Sequence, residues 1–150
     1  MQKYLSDKYS RFYMQIAHTA SLNSEAKRLK VGACIVLPSG IMAVGWNGTA
    51  SGQPNCCEHG EVLPGDRLGI GKTLPTVIHA EMNALKKLLI AGMSPVGGVL
   101  FSTLSPCINC AVQLVDIGLY GLVYENTYKD VEGLHLLENA GISVSRVSRL

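Results

Sequence analysis

The order of elements in this chain predicts an α/β fold, a mixed sheet covered by helices on both faces. Two observations carry that reading. An apolar hairpin comes first, residues 31–37 and 41–46 around Pro38-Ser39-Gly40, and after it strand-like and helix-like segments alternate to the end of the chain. Ahead of the hairpin, Tyr9, Phe12, Tyr13, Ile16 and Ala17 recur at helical spacing behind a cap at Ser6, which predicts an amphipathic helix. A Gly-, Pro- and Cys-bearing loop covers residues 48–76. Residues 79–91 are rich in Ala, Leu, Met and Lys and close at Gly92, the pattern of a helix with a glycine stop. Residues 99–104 then read as a strand and 107–117 as a helix stopped by Gly118. Residues 119–125 read as a strand, 131–139 as a helix stopped by Gly141, and 142–147 as a last strand.

Composition narrows the class. With 150 residues, 47% hydrophobic and 16% charged, the chain suits one domain with a real core and is neither disordered nor fibrous. A net charge of +2 leaves no footprint for a long polyanion, though one or two local cations suffice for a small phosphorylated ligand. Residues 1–30 carry charges throughout, with no apolar run of signal-peptide type, and no stretch approaches the length of a membrane span. Five Cys, an odd number, favour reduced thiols and metal ligation over a disulfide frame, and a cytoplasmic location is expected.

The chemistry concentrates in two short segments, His79-Ala80-Glu81 and Pro106-Cys107-Ile108-Asn109-Cys110. One His and two Cys make three ligands for zinc, and three protein ligands leave the fourth position open, as catalytic sites require. Glu81 supplies a carboxylate for proton transfer beside the metal. Cys107 and Cys110, three apart, share a helix face. His79 and Glu81, two apart, serve one site only from a helix start, where the first turn points end-on at a ligand. Ser105 and Pro106 suit the N-cap and first-turn positions ahead of the Cys pair. Both segments therefore start helices, and two positive dipole ends converge on the metal, which favours thiolates.

Other chemistries use parts of this pattern. A Cys-x-x-Cys alone serves as a redox pair, but this one lies well inside the chain without the Trp that flanks thioredoxin-like motifs. A closed structural zinc, as in a module contacting single-stranded nucleic acid, would draw a fourth ligand from Cys34, Cys56, Cys57 or His59. Neither alternative gives Glu81 a task.

Further matches surround the two segments: Gly45-Trp46-Asn47-Gly48, a Cys-Cys-bearing insertion with Cys56 and Cys57, His79-Ala80-Glu81-Met82-Asn83-Ala84-Leu85, Thr103-Leu104-Ser105-Pro106-Cys107-Ile108-Asn109-Cys110, and Glu125-Asn126-Thr127-Tyr128. With these the chain resembles the zinc-dependent cytidine and deoxycytidylate deaminases, and among them the deoxycytidylate deaminases most. tRNA adenosine deaminases are similar around the metal. They carry a shorter connection before the His, an Arg-Pro after the Asn, and Glu-Pro-Cys where this chain has Ser105-Pro106-Cys107.

The resemblance implies a three-layer α/β/α sandwich around a mixed five-stranded sheet, one catalytic Zn2+, and hydrolysis of dCMP to dUMP and ammonia for thymidylate synthesis. Another cytosine nucleotide or nucleoside is the alternative substrate. It gives Glu81 the role of base and then acid, Asn47 a hydrogen bond to the sugar, and Tyr128 a place against the pyrimidine ring. Ala80 and Ser105, next to the ligands, join the substrate contacts. From charge and position alone, Arg28 or Lys30 serves the 5′-phosphate. Relatives of this kind are hexamers, activated by dCTP (with Mg2+ on the triphosphate) and inhibited by dTTP, with Gly45, Trp46, Asn47 and Gly48 in the effector site. Trp46 stands where a Tyr is more usual. Some relatives hold a second, structural zinc; Cys56, Cys57 and His59 are the candidates here, with no fourth ligand evident.

Overall fold

The computed structural model describes residues 2–58 and 73–148. A short 3-10 helix at Gln2–Leu5 leads into α1 (Asp7–Ser21). There follow β1 (Gly32–Val36), β2 (Met42–Trp46), α2 (Ala80–Ile90), β3 (Val99–Leu104), α3 (Ile108–Asp116), β4 (Gly121–Asn126), α4 (Glu132–Asn139) and β5 (Ser143–Arg146). Each predicted strand and helix is present, with the bounds it was assigned met to within two residues. Among the described residues the five strands form one mixed sheet in the order β2-β1-β3-β4-β5. β1 pairs antiparallel with β2 and with β3, while β3, β4 and β5 run parallel. No described helix is long and apolar enough to cross a membrane.

Alternation along the central strands builds two cores. Ala33 and Ile35 of β1, Leu100 of β3 and Leu122 of β4 face Ala84, Leu85 and Leu88 of α2, Ala111 and Leu114 of α3, and Leu134 and Leu137 of α4. Cys34 and Val36, Val99 and Phe101, and Val123 face the opposite way, onto Tyr13, Met14 and Ala17 of α1. Strands buried on both faces read as unbroken apolar runs, as residues 32–36 do. The three-layer arrangement therefore follows from strand alternation.

The buried stripe of α1 keeps Tyr13 and Ala17 of the expected set, with Tyr9 and Ile16 half-buried against the same core, but Phe12 is 55% exposed, and Ser10, Met14, Ala20 and Ser21 are buried as well. A backbone contact accounts for the small residues in its C-terminal half: a Cβ on Gly32 would stand 1.8 Å from the Ala17 carbonyl oxygen and 2.7 Å from the Ser21 nitrogen, and Ala17, Ala20 and Ser21 line that end. Ser6 does precede α1, but its hydroxyl donates back to the Lys3 carbonyl instead of capping the helix.

The topology gathers the candidate functional residues at one sheet edge. Because β1 is antiparallel to both β2 and β3, the C-terminal ends of β2, β3 and β4 lie together, beside the start of β1. Residues that follow these strand ends (Asn47, Ser105, Tyr128) and those that precede β1 (Arg28, Lys30) thus meet where α/β sheets hold their ligands. α2 is seated there by Gly45, where a Cβ would stand 2.3 Å from the Ala80 carbonyl oxygen and 2.4 Å from the Ala84 nitrogen. Gly45→Ala should therefore cost about 2–3 kcal/mol in urea unfolding. An unchanged midpoint would show that α2 does not need this approach.

Candidate active site

His79 and Cys107 are the N-cap residues of α2 and α3, and their backbones are nearly the same, φ −70° with ψ 156° and 167°. An extended N-cap turns the chain into its helix while its side chain stays at the helix mouth. The expectation that Ser105 and Pro106 would fill the N-cap and first-turn positions is corrected here, because Cys107 itself occupies the cap. Ser105, buried, instead accepts the Tyr128 backbone N–H at 2.7 Å through its hydroxyl. Both helix starts are held in register with the sheet. Gly48 and Ile78 exchange backbone hydrogen bonds, and the Asn83 amide donates to the Trp46 carbonyl at 2.8 Å. Gly133, at the start of α4, lies so near the Pro106 carbonyl that a Cβ would stand 2.4 Å from it.

These constraints bring three ligand atoms together. His79 Nδ1 lies 3.5 Å from the Cys107 sulfur and 3.3 Å from the Cys110 sulfur, and all three atoms fall within 4.8 Å of one another. A tetrahedral zinc with Zn–S of about 2.3 Å and Zn–N of about 2.0 Å separates nitrogen from sulfur by about 3.5 Å, so the trio fits that ion. Among the described residues no other group of His, Cys, Asp or Glu is arranged to hold a metal. Cys56 is exposed, Cys57 is buried, and His59 lies outside the described residues.

Charge at this point is sharply divided. A hydrogen bond from the Cys110 thiol, with further help from His79 and the Cys110 backbone amide, pulls Cys107 well below the ordinary thiol value against the opposing effect of burial, and so favours its thiolate. Cys110, which donates that bond, holds its proton well above the usual thiol range. The Cys107 sulfur likewise raises His79 above its ordinary value, against the opposing effect of burial. Glu81 is 4% exposed, and burial lifts its carboxyl from 4.5 to about 7. A carboxyl balanced near neutrality can both take and give a proton.

Tyr128 sits beside this cluster. Its hydroxyl is pushed above its usual value by burial first and then by the Cys107 charge, while the Arg28 charge opposes them. Arg28 is thus near the ring, with Nη1 3.5 Å from the Thr73 hydroxyl. Lys30 is exposed on the same loop. Asn47 spends its amide on that loop: Oδ1 accepts the Val31 N–H and Nδ2 donates to the Leu29 carbonyl, both at 2.8 Å. Ala80, the first residue of α2, is fully buried, its carbonyl against Gly45 of β2. Gly45, which the resemblance places in the effector site, is covered by the α2 backbone. Trp46 carries the Lys87 ammonium 4.2 Å from its ring centroid. Sequence reasoning passed over Glu58, Asn83 and Lys87, which act on backbone across long stretches of chain and leave no periodic trace. Asn83 had the one available signal, its place two residues after Glu81.

Comparison with known proteins agrees with this geometry. A model of the cytidine and deoxycytidylate deaminase zinc-binding region matches residues 7–126. The chain is 34% identical to the deoxycytidylate deaminase of Saccharomyces cerevisiae over 145 residues, covering 93% of this chain and 45% of that enzyme. It is 31% identical to the deoxycytidylate deaminase of Enterobacteria phage T4, covering 91% of this chain and 88% of the phage enzyme. The crystal structure of dCMP deaminase from the cyanophage S-TIM5, in complex with dCMP and dUMP, superposes with a TM-score of 0.82. Identity there is 37%, over 95% of this chain and 98% of that one. This chain belongs to the cytidine and deoxycytidylate deaminase family, with the zinc-binding region that defines it. It spans less than half the length of the yeast relative.

Two outcomes test the site without catalysis. Cys107→Ala should lower bound zinc from about one ion per chain to near zero and lower Tm as well, since two helix starts lose a common anchor. Metal analysis beside thermal unfolding checks both. In the zinc-free protein, Glu81 binds its proton more tightly folded than unfolded. Its contribution to stability is therefore complete below about pH 4.5 and is lost as pH rises through about 7. Glu81→Gln should abolish this loss, so the variant gains about 3 kcal/mol on wild type between pH 4.5 and pH 8 in denaturant titrations. A gain independent of pH would place the Glu81 carboxyl in water.

Proposed function

We propose that this chain catalyses the hydrolytic deamination of dCMP to dUMP and ammonia. The observation that carries the reading is the buried Glu81 carboxyl, poised near neutrality beside a three-ligand metal cluster. A closed structural zinc would have no use for it. His79 Nδ1 and the sulfurs of Cys107 and Cys110 would hold a Zn2+ ion, which supplies an activated water as the nucleophile. Glu81 would take one proton from the nucleophile as it adds at C4 of cytosine and pass it to ring N3, then take the proton of the new C4 hydroxyl and pass it to the departing amine, so that ammonia leaves and uracil remains. Burial holds the proton affinity of Glu81 near neutrality, where it can act both as base and as acid.

The remaining residues orient the substrate. Tyr128, whose backbone is tied to Ser105, packs on the pyrimidine ring; the Ser105 contribution runs through that bond. Ala80 offers the backbone N–H of the first helical residue, which has no partner inside its own helix. Asn47 keeps a second amide hydrogen and a second lone pair, and these serve the deoxyribose hydroxyl while the first pair holds the loop. Arg28, near Tyr128, takes the 5′-phosphate with Lys30 as an outer cation. The dCMP and dUMP bound to the cyanophage relative favour this substrate over other cytosine nucleotides or nucleosides.

Regulation and assembly belong to the same reading. A cytoplasmic homo-oligomer, most simply a hexamer, is activated by dCTP with Mg2+ on its triphosphate and inhibited by dTTP, with Trp46, Asn47 and Gly48 near the effector. Support comes from Trp46 lying half-exposed beside the Lys87 cation, where a base and an anion find complementary partners.

Ammonia release from dCMP, CMP, deoxycytidine and dCTP, with and without dCTP or dTTP, tests the whole. dCMP should be preferred, with sigmoidal saturation that dCTP makes hyperbolic; no ammonia from dCMP would end the reading. Glu81→Gln should keep zinc and lower kcat by about 10²-fold or more. Near wild-type turnover in that variant would remove Glu81 from the proton path.

A further inference from the structure

The 5′-phosphate contact assigned to Arg28 needs a guanidinium held in place, and the loop that carries it has no regular secondary structure. Between α1 and β1 the chain runs from Leu22 to Val31 without a helix or a strand. Its order comes from side chains reaching in from elsewhere. Ser24 donates to the Asn47 carbonyl at 2.7 Å, and Asn47 brackets Leu29 and Val31. The segment between, which bends at Lys27 and Arg28, is held by neither.

Glu58 holds it. One carboxylate oxygen, Oε1, accepts the backbone N–H of Lys27 at 2.8 Å and of Arg28 at 3.0 Å. Glu58 is 7% exposed, far from the solvated state normal for a carboxylate. Two successive amides on one anionic oxygen form a charge-assisted clamp that sets the backbone direction at the residue they flank. The same point anchors the side chain. Glu58 pairs as an isolated antiparallel bridge with Thr73, and the Thr73 hydroxyl lies 3.5 Å from Arg28 Nη1. Arg28 is thus gripped at its backbone by one member of a bridged pair and at its guanidinium by the other. Its charge is felt at the Tyr128 hydroxyl.

We infer that Glu58, with its bridge partner Thr73, is a positioning residue that presents the Arg28 guanidinium to the 5′-phosphate of the substrate. The inference rests on the proposed dCMP reading and deepens it. Neither residue touches the substrate. Glu58 spends its burial on the loop backbone, and Arg28 delivers the result.

The test separates phosphate recognition from general damage. Kinetics are measured on the zinc-loaded enzyme with dCMP and with deoxycytidine, which lacks the phosphate. Glu58→Ala should raise KM for dCMP by about tenfold or more, the scale of one charge-assisted contact, with kcat held within about threefold. kcat/KM for deoxycytidine should stay within about twofold of wild type. Glu58→Gln keeps an acceptor at the same reach and should recover most of the loss. Should Glu58→Ala fail to fold, Glu58→Asp, with its oxygen drawn back by one methylene, gives the same direction. In an Arg28→Ala background the Glu58 substitutions should add nothing. Equal losses on dCMP and deoxycytidine, or additive effects with Arg28→Ala, would overturn the inference while leaving the deaminase reading intact. A wild-type enzyme inactive on dCMP would sink the reading itself, a result recognisable before any variant is made.

Discussion

The first turn of α2 rests on the backbone of β2 at Gly45, and the site is arranged around that contact. A helix seated this closely places His79 at the carboxyl edge of the sheet, where the β3 strand end delivers Cys107. The second ligand segment uses the same device, since Gly133 lets α4 press on the Pro106–Cys107 backbone. Each ligand-bearing helix start is thus fixed by backbone meeting backbone, which has no rotamers to choose among. The result is three ligand atoms within 4.8 Å of one another.

The electrostatics follow from the same closeness. The burial of Glu81 in the first turn of α2 denies it water, and the lost hydration raises its proton affinity to the range where transfer in either direction is easy. The thiolate at Cys107 is the opposite case, an anion sustained by the donors around it. A cation held by His79, Cys107 and Cys110 would relieve the thiolate and leave the Glu81 carboxyl free for proton transfer in the proposed reaction. The residues beyond the metal do less chemistry and more holding: Ser105 ties Tyr128, Asn83 ties the end of β2, and Asn47 ties the loop before β1.

Much of this was legible in the sequence because the decisive residues are close together in it. His79 with Glu81, and Cys107 with Cys110, lie within single helical turns, and their types admit few other purposes. The strands declared themselves through apolar runs, and the helices through their glycine stops. What stayed hidden depends on contacts between remote segments. The close seat of α1 at Ala17 and Ser21 depends on Gly32, and no periodicity within residues 7–21 reports where another strand's backbone lies. The clamp of Glu58 on Lys27 and Arg28 joins an insertion to a loop thirty or so residues away, through backbone amides that every residue possesses. Gly45 and Asn47 read as ligand-facing because glycine and asparagine at a strand end suit a ligand as well as they suit a helix or a loop. The fold spends Gly45 entirely on the helix and Asn47 in part on the loop.

X-ray absorption at the zinc edge of the purified protein tests the central claim most directly, because it counts ligands by element and distance. The geometry predicts a four-coordinate ion with two sulfurs at about 2.3 Å, one imidazole nitrogen at about 2.0 Å, and one light ligand that exchanges with solvent or inhibitor. Glu81 should be absent from the coordination, so the spectrum should be unchanged in Glu81→Gln. Three or four sulfurs around the ion, or a site closed by a fourth protein ligand, would contradict the account and make the zinc a structural one.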